Sequence, residues 1–148
     1  MASAACGKAE RAPWGRAAAV WLVLIVAEVV HGALRAMLLA PRTGMARAGQ
    51  IGVFTGCLLN FGIAYWFSPW LGVKHGRTLV AVGALWVLLT VIFEVAFGRF
   101  VAGASWRRLR ADYDLRHGGL LPLGLLALAG SPLLAASLRA RGAGGRSP

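Results

Sequence analysis

Four long apolar stretches, each closed by basic residues or a histidine, limit what this 148-residue chain can fold into. Arg16 to Arg35 encloses 18 residues, Arg47 to Lys74 encloses 26, and Arg77 to Arg99 and His117 to Arg139 enclose 21 each. A helix needs about 20 mostly apolar residues to cross the hydrocarbon core, and Lys and Arg are costly there, so they mark span ends. Composition agrees, with 58% hydrophobic and only 14% charged residues, against about 25% charged in a soluble domain. That hydrophobicity also excludes disorder. The runs do not alternate polar and apolar, as the roughly 10-residue strands of a membrane barrel would. The expected fold is an all-α integral membrane protein with four transmembrane helices in an up-down bundle, because short links make successive helices antiparallel neighbours.

Charge also sets the boundaries. Residues 1–16 form a basic tail, 17–139 a single membrane domain, and 140–148 a Gly-rich flexible tail. Spans are expected at about 17–39, 48–71, 78–101 and 119–138, with Pro41 stopping the first and an amphipathic loop at 103–117. The first apolar run reaches Glu28, His31 and Arg35 without a small-residue cleavage site, so it reads as a span and not a cleaved signal. The two hairpins look repeated. Trp21 and Glu28-Val-x-x-Gly32 match Trp86 and Glu94-Val-x-x-Gly98, and Ser-Pro-x-Leu recurs from Ser68 and from Ser131. Such a pattern fits a parallel repeat about an axis along the membrane normal.

The strongest functional signal is a pair of intramembrane carboxyls, Glu28 and Glu94. An ionisable group inside a span costs about 2.5–3.5 kcal/mol on insertion scales, so each is expected to face the bundle interior and find a partner. Glu28, His31 and Arg35 share one helix face, as do Thr90, Glu94 and Gly98. One reading is a proton or cation site, with His31 as a relay. The other is structural, with Glu28 paired to His31 or Arg35 and Glu94 to Arg99 or an arginine of the loop between the first two spans. Gly52, Gly56 and Asn60 form a small-small-polar stripe suited to close helix packing, and Asn60 and Thr90 read as interhelical hydrogen-bond formers. Cys57 reads as a small core residue and Cys6 as an incidental thiol.

The 103–117 loop carries the dense charge. Trp106, Leu109 and Tyr113 make an apolar stripe, with Arg108–Asp112 and Arg110–Asp114 at ion-pair spacing. It reads as a helix at headgroup level, where Trp106, Arg107, Arg108 and Arg110 would contact lipid headgroups. The charges flank spans and form no single soluble patch, so nucleic acid is not an expected partner despite a net charge of +11. Expected partners are the lipid bilayer and a second copy or another membrane protein.

No catalytic constellation is visible. Only His31 lies in a span as a haem ligand would, there is no C-x-x-C, and no P-loop or H-E-x-x-H motif occurs. No enzyme activity, cofactor or metal is expected. In size, span number and a carboxyl on the first helix the chain resembles the small multidrug resistance transporters in architecture alone. It is longer, has a second carboxyl and shares none of their motifs. The Ala, Arg and Gly bias suggests a high-GC bacterium and hence an inner-membrane protein. Lys and Arg divide eight to eight between the two faces, and both termini are taken as cytoplasmic. The expected role is a non-enzymatic accessory or structural membrane protein. The alternatives are a proton- or cation-coupled transporter using Glu28 and Glu94, and an anionic-lipid-binding membrane-stress protein.

Overall fold

A computed structural model describes residues 13–114, 116 and 119–144. Most of the basic tail, with Cys6, the last four residues of the C-terminal tail, and His117 lie outside the described residues. Five helices are present: α1 (Trp14–Thr43), α2 (Met45–Leu71), α3 (Gly76–Val101), the short α4 (Trp106–Asp112) and α5 (Leu121–Gly144). All but α4 are long and apolar enough to cross a membrane, as the sequence requires.

Two spans run beyond their first α-helical part through a π-helical segment near the C-terminal end. In α1 it covers Arg35–Leu39 and in α3 Phe97–Val101. The wider turn sends the Ala40 N–H back to the Arg35 carbonyl, and the Ala102 N–H to that of Phe97. Consequently Pro41 does not stop α1. It enters the first positions of a fresh turn, where a proline's missing N–H costs nothing. The last carbonyls are met by side chains instead, Arg42 Nη1 donating to Leu38 (2.6 Å) and Thr43 Oγ1 to Leu39 (3.0 Å). The stop falls at Gly44, whose φ of 83° suits glycine. One residue therefore makes the whole α1–α2 turn.

The spans form a ring in which α1 packs on α2 and α3, and α5 on the same two helices. α2 and α3 sit across the diagonal although only residues 72–75 join them, because α5 fills the space between. This is the order that two hairpins, α1–α2 and α3–α5, give when laid side by side. The core lies where all four meet, around Val20, Leu24, Ala64, Val82, Trp86 and Leu128.

Lipid tails are as apolar as leucine, so packing and hydrogen bonds, not water exclusion, hold the spans together. Fully buried Trp86 donates its indole N–H to the Ala17 carbonyl at 2.8 Å. Trp21 donates to Thr90 Oγ1 at 3.1 Å, the interhelical bond expected of Thr90. Both bonds join α1 to α3, running the same way, in one register. A strict two-fold would send Trp86 towards Ile25, the counterpart of Thr90, so the halves match in layout and differ in detail.

The repeated Ser-Pro pairs have a backbone purpose. Each proline deprives the carbonyl four residues earlier of its helical N–H. Ser131 Oγ donates at 2.8 Å to the Leu128 carbonyl, the one that Pro132 frees, so the buried serine and that carbonyl satisfy each other. At the other pair Pro69 releases the Tyr65 carbonyl. Ser68 Oγ takes it at 2.9 Å, and Arg139 of α5 reaches it with Nε (3.2 Å) and Nη2 (2.9 Å). Arg16 likewise donates to the Trp70 carbonyl at 3.1 Å, placing a second cation at the negative end of α2.

α3 and α5 approach most closely at Gly83, where an added Cβ would run into the Ala129 carbonyl. Replacing Gly83 by Leu is expected to destabilise the bundle by at least about 1–3 kcal/mol, the cost of overpacking. Gly62 on α2 faces open space. Its replacement by Ala should be neutral or stabilising by up to about 1 kcal/mol. Unfolding in mixed micelles measures both.

Candidate functional site

The one-residue turn at Gly44 fixes which residues of α1 and α2 face each other. Moving away from the turn, Arg35 meets Gly52, His31 meets Thr55 and Glu28 meets Gly56. The predicted Gly52–Gly56 stripe is buried, but its neighbours are side chains and not a second backbone. A Cβ on Gly52 would collide with the Arg35 side chain, and one on Gly56 would lie 3.1 Å from Glu28 Oε1 and 3.6 Å from His31 Cε1. The glycines thus form a groove that seats the polar face of α1 against α2.

Glu28 lies near the middle of the 30-residue α1, about 21 Å from either end at 1.5 Å per residue. His31 Nδ1 stands 3.4 Å from Glu28 Oε2, and Nε2 is 2.7 Å from Thr55 Oγ1. Their side chains are 23% (His31) and 32% (Glu28) exposed. Thr55 has one hydroxyl proton, and the Ile51 carbonyl accepts it at 2.9 Å. His31 thus bridges Glu28 on its own helix and Thr55 on α2.

Glu94 sits seven residues before the end of α3. It lies within electrostatic reach of Glu28 across the bundle and of Asp112 on α4. Both predicted carboxyls are thereby brought together. None of the expected arginine pairs forms among the described residues. Arg35 lies over the glycine groove, and Arg99 stacks 6.0 Å from the centre of the Trp106 ring. Glu28 forms an ion-pair contact with His31, and Glu94 has neither an ion pair nor a hydrogen bond among the described residues. Asn60 completes the stripe but departs from expectation, since its Oδ1 is buried without a donor.

Sequence reasoning missed two members of this site. Thr55 was legible only through the α1–α2 register. Tyr113 belonged to an apolar stripe, yet its hydroxyl is buried without a partner. Burial pushes its phenol above the ordinary range, and the carboxylates of Glu94 and Asp112 add to the shift. Asp112 accordingly does not close the expected pair with Arg108. Thr55, His31 and Glu28 are thus joined by contacts, while Glu94 and Tyr113 are linked to one another, and Glu94 to Glu28, by electrostatic influence only. No three residues among those described are grouped to hold a metal ion.

No protein-family profile, curated protein or solved structure matches the chain.

The Tyr113 phenol should ionise above the usual value of about 10. Removing the Glu94 charge with Glu94→Gln should bring its titration back down, because one carboxylate no longer opposes phenolate formation. Ultraviolet titration checks this, with Tyr113→Phe identifying the component. An unchanged midpoint in Glu94→Gln would place the two groups out of contact.

Proposed function

We propose that this chain is a small, non-enzymatic, multi-pass membrane protein that binds a proton or small cation at Glu28 and Glu94 and couples its movement to transport. The observation that carries this reading is the contrast between the two acids. Glu28 lies 3.4 Å from His31, while Glu94, within its electrostatic reach, has no ion pair or hydrogen bond among the described residues. A purely structural role is served by a carboxyl locked to an arginine, and both neighbouring arginines are turned elsewhere. Ionisable residues that mark ion pathways inside membranes face the bundle interior, as these do. The composition suits a bacterial inner membrane, with both termini in the cytoplasm.

A second reading is an accessory subunit. His31 and Glu28 remain partly exposed at membrane depth, and a neighbouring helix or second copy would relieve that cost. This reading predicts a stable oligomer and no ion movement.

Reconstituted into vesicles under a pH gradient with the potential clamped, the wild-type chain is expected to dissipate the gradient. Glu94→Gln and Glu28→Gln should each lose most of that flux while keeping the helical circular dichroism of the wild type. A folded double variant that moves protons as fast as wild type, or a wild type that moves none, overturns the transport reading.

A further inference from the structure

We propose that the outward face of α4 binds the phosphate of an anionic phospholipid headgroup through Arg107 and Arg110. The inference stands apart from the proton site and survives if that reading fails.

How α4 is fixed gives the first argument. Ser105 caps it, its hydroxyl accepting from the Arg108 N–H at 3.3 Å. Leu109 is seated on Gly98 of α3, so closely that a Cβ there would lie 2.7 Å from Leu109 Cδ2. At about 100° per residue, Leu109 facing α3 turns Arg107 and Ala111 to the opposite side and Arg110 to the flank next to Arg107. Those three residues and Asp114 line one groove of about 360 Å³. The backbone passing behind is equally tight, since a Cβ on Gly119 would meet the Ala111 and Asp112 carbonyls at 2.5 and 2.6 Å. The two guanidinium groups are thus carried on a helix with a defined roll, and not on a free loop.

Charge and depth then choose the ligand. Two arginines and one aspartate leave the groove net positive. Asp114 Oδ1 already accepts the Arg116 N–H at 3.0 Å. Guanidinium groups bind phosphate oxygens through paired, charge-assisted hydrogen bonds. α4 begins five residues beyond the last residue of the α3 span, at headgroup level, with Trp106 exposed at its start. The adjoining end of α3 leaves Phe100 and Val101 exposed, 85% and 69%. A phosphate site beside bare apolar surface fits a molecule with a charged head and acyl chains.

The experiment uses the full chain in vesicles of brominated lipid, which quench tryptophan fluorescence on contact, with Trp106→Phe isolating the signal. Brominated phosphatidylglycerol should quench Trp106 in preference to brominated phosphatidylcholine. R107Q/R110Q should weaken that preference about thirtyfold, from two arginines lost at an anionic surface. R77Q/R141Q, on the opposite membrane face, should retain it. Equal quenching by the two lipids, or a preference that survives in R107Q/R110Q, overturns the proposal. Displacement of the lipid signal by millimolar inorganic phosphate at constant ionic strength also overturns it, because the site would then serve free phosphate.

Discussion

A hydrocarbon core offers no water to polar groups, and almost every polar side chain inside this bundle can be explained by that shortage. Serines beside prolines, arginines at the end of α2, and Arg42 and Thr43 at the end of α1 all donate to backbone carbonyls. Tryptophans donate across the α1–α3 contact. In lipid an unsatisfied carbonyl costs several kcal/mol, so these bonds are conditions for the helices to exist at their observed lengths. The groups that escape this rule are few: Glu94, the Asn60 oxygen and the Tyr113 hydroxyl. Among the described residues, these are the polar groups that the backbone shortage does not explain.

The fold was legible because its signal is crude and strong. A run of twenty apolar residues between arginines has one outcome in a bilayer. The finer arrangement was not legible, for a specific reason. Loop length suggested that α2 and α3 pack together, but a turn of four residues permits both an adjacent and a diagonal placement. Which occurs depends on whether α5 fits between them, and that rests on one glycine, Gly83, against the Ala129 backbone. Pro41 misled in a similar way. A proline stops a regular α-helix, but a π-helical turn ahead of it resets the hydrogen-bond register and lets the helix run on.

The candidate site was half legible. Glu28, His31 and Arg35 follow from helical spacing alone, and the structure keeps them on one face against α2. Thr55 and the purpose of Gly52 and Gly56 needed the turn position. Once Gly44 is known to be the turn, counting outward along both helices brings 35 opposite 52, whereas Glu28 reaches back a full turn to Gly56, which the count alone does not give. The partners of Arg99 and Asp112 were not legible. Charge spacing favoured ion pairs, whereas exposed charges gain little from pairing. Arg99 instead lies over Trp106, and Asp112 stands near Glu94.

The two hairpins use glycine for opposite ends, and this makes the two acids unequal. In α1–α2 the glycines open a groove wide enough for a carboxyl, an imidazole and an arginine stem. In α3–α5 Gly83 instead closes the gap between two backbones, eleven residues from Glu94 along α3. Glu28 therefore has a histidine, and through it a threonine, within bonding distance. Glu94 stands at the same position of the repeated motif, but its i+3 neighbour is Phe97 where α1 has His31. The two hairpins therefore carry a carboxyl at matching positions, but only the first sets an imidazole beside it and a hydroxyl beyond that.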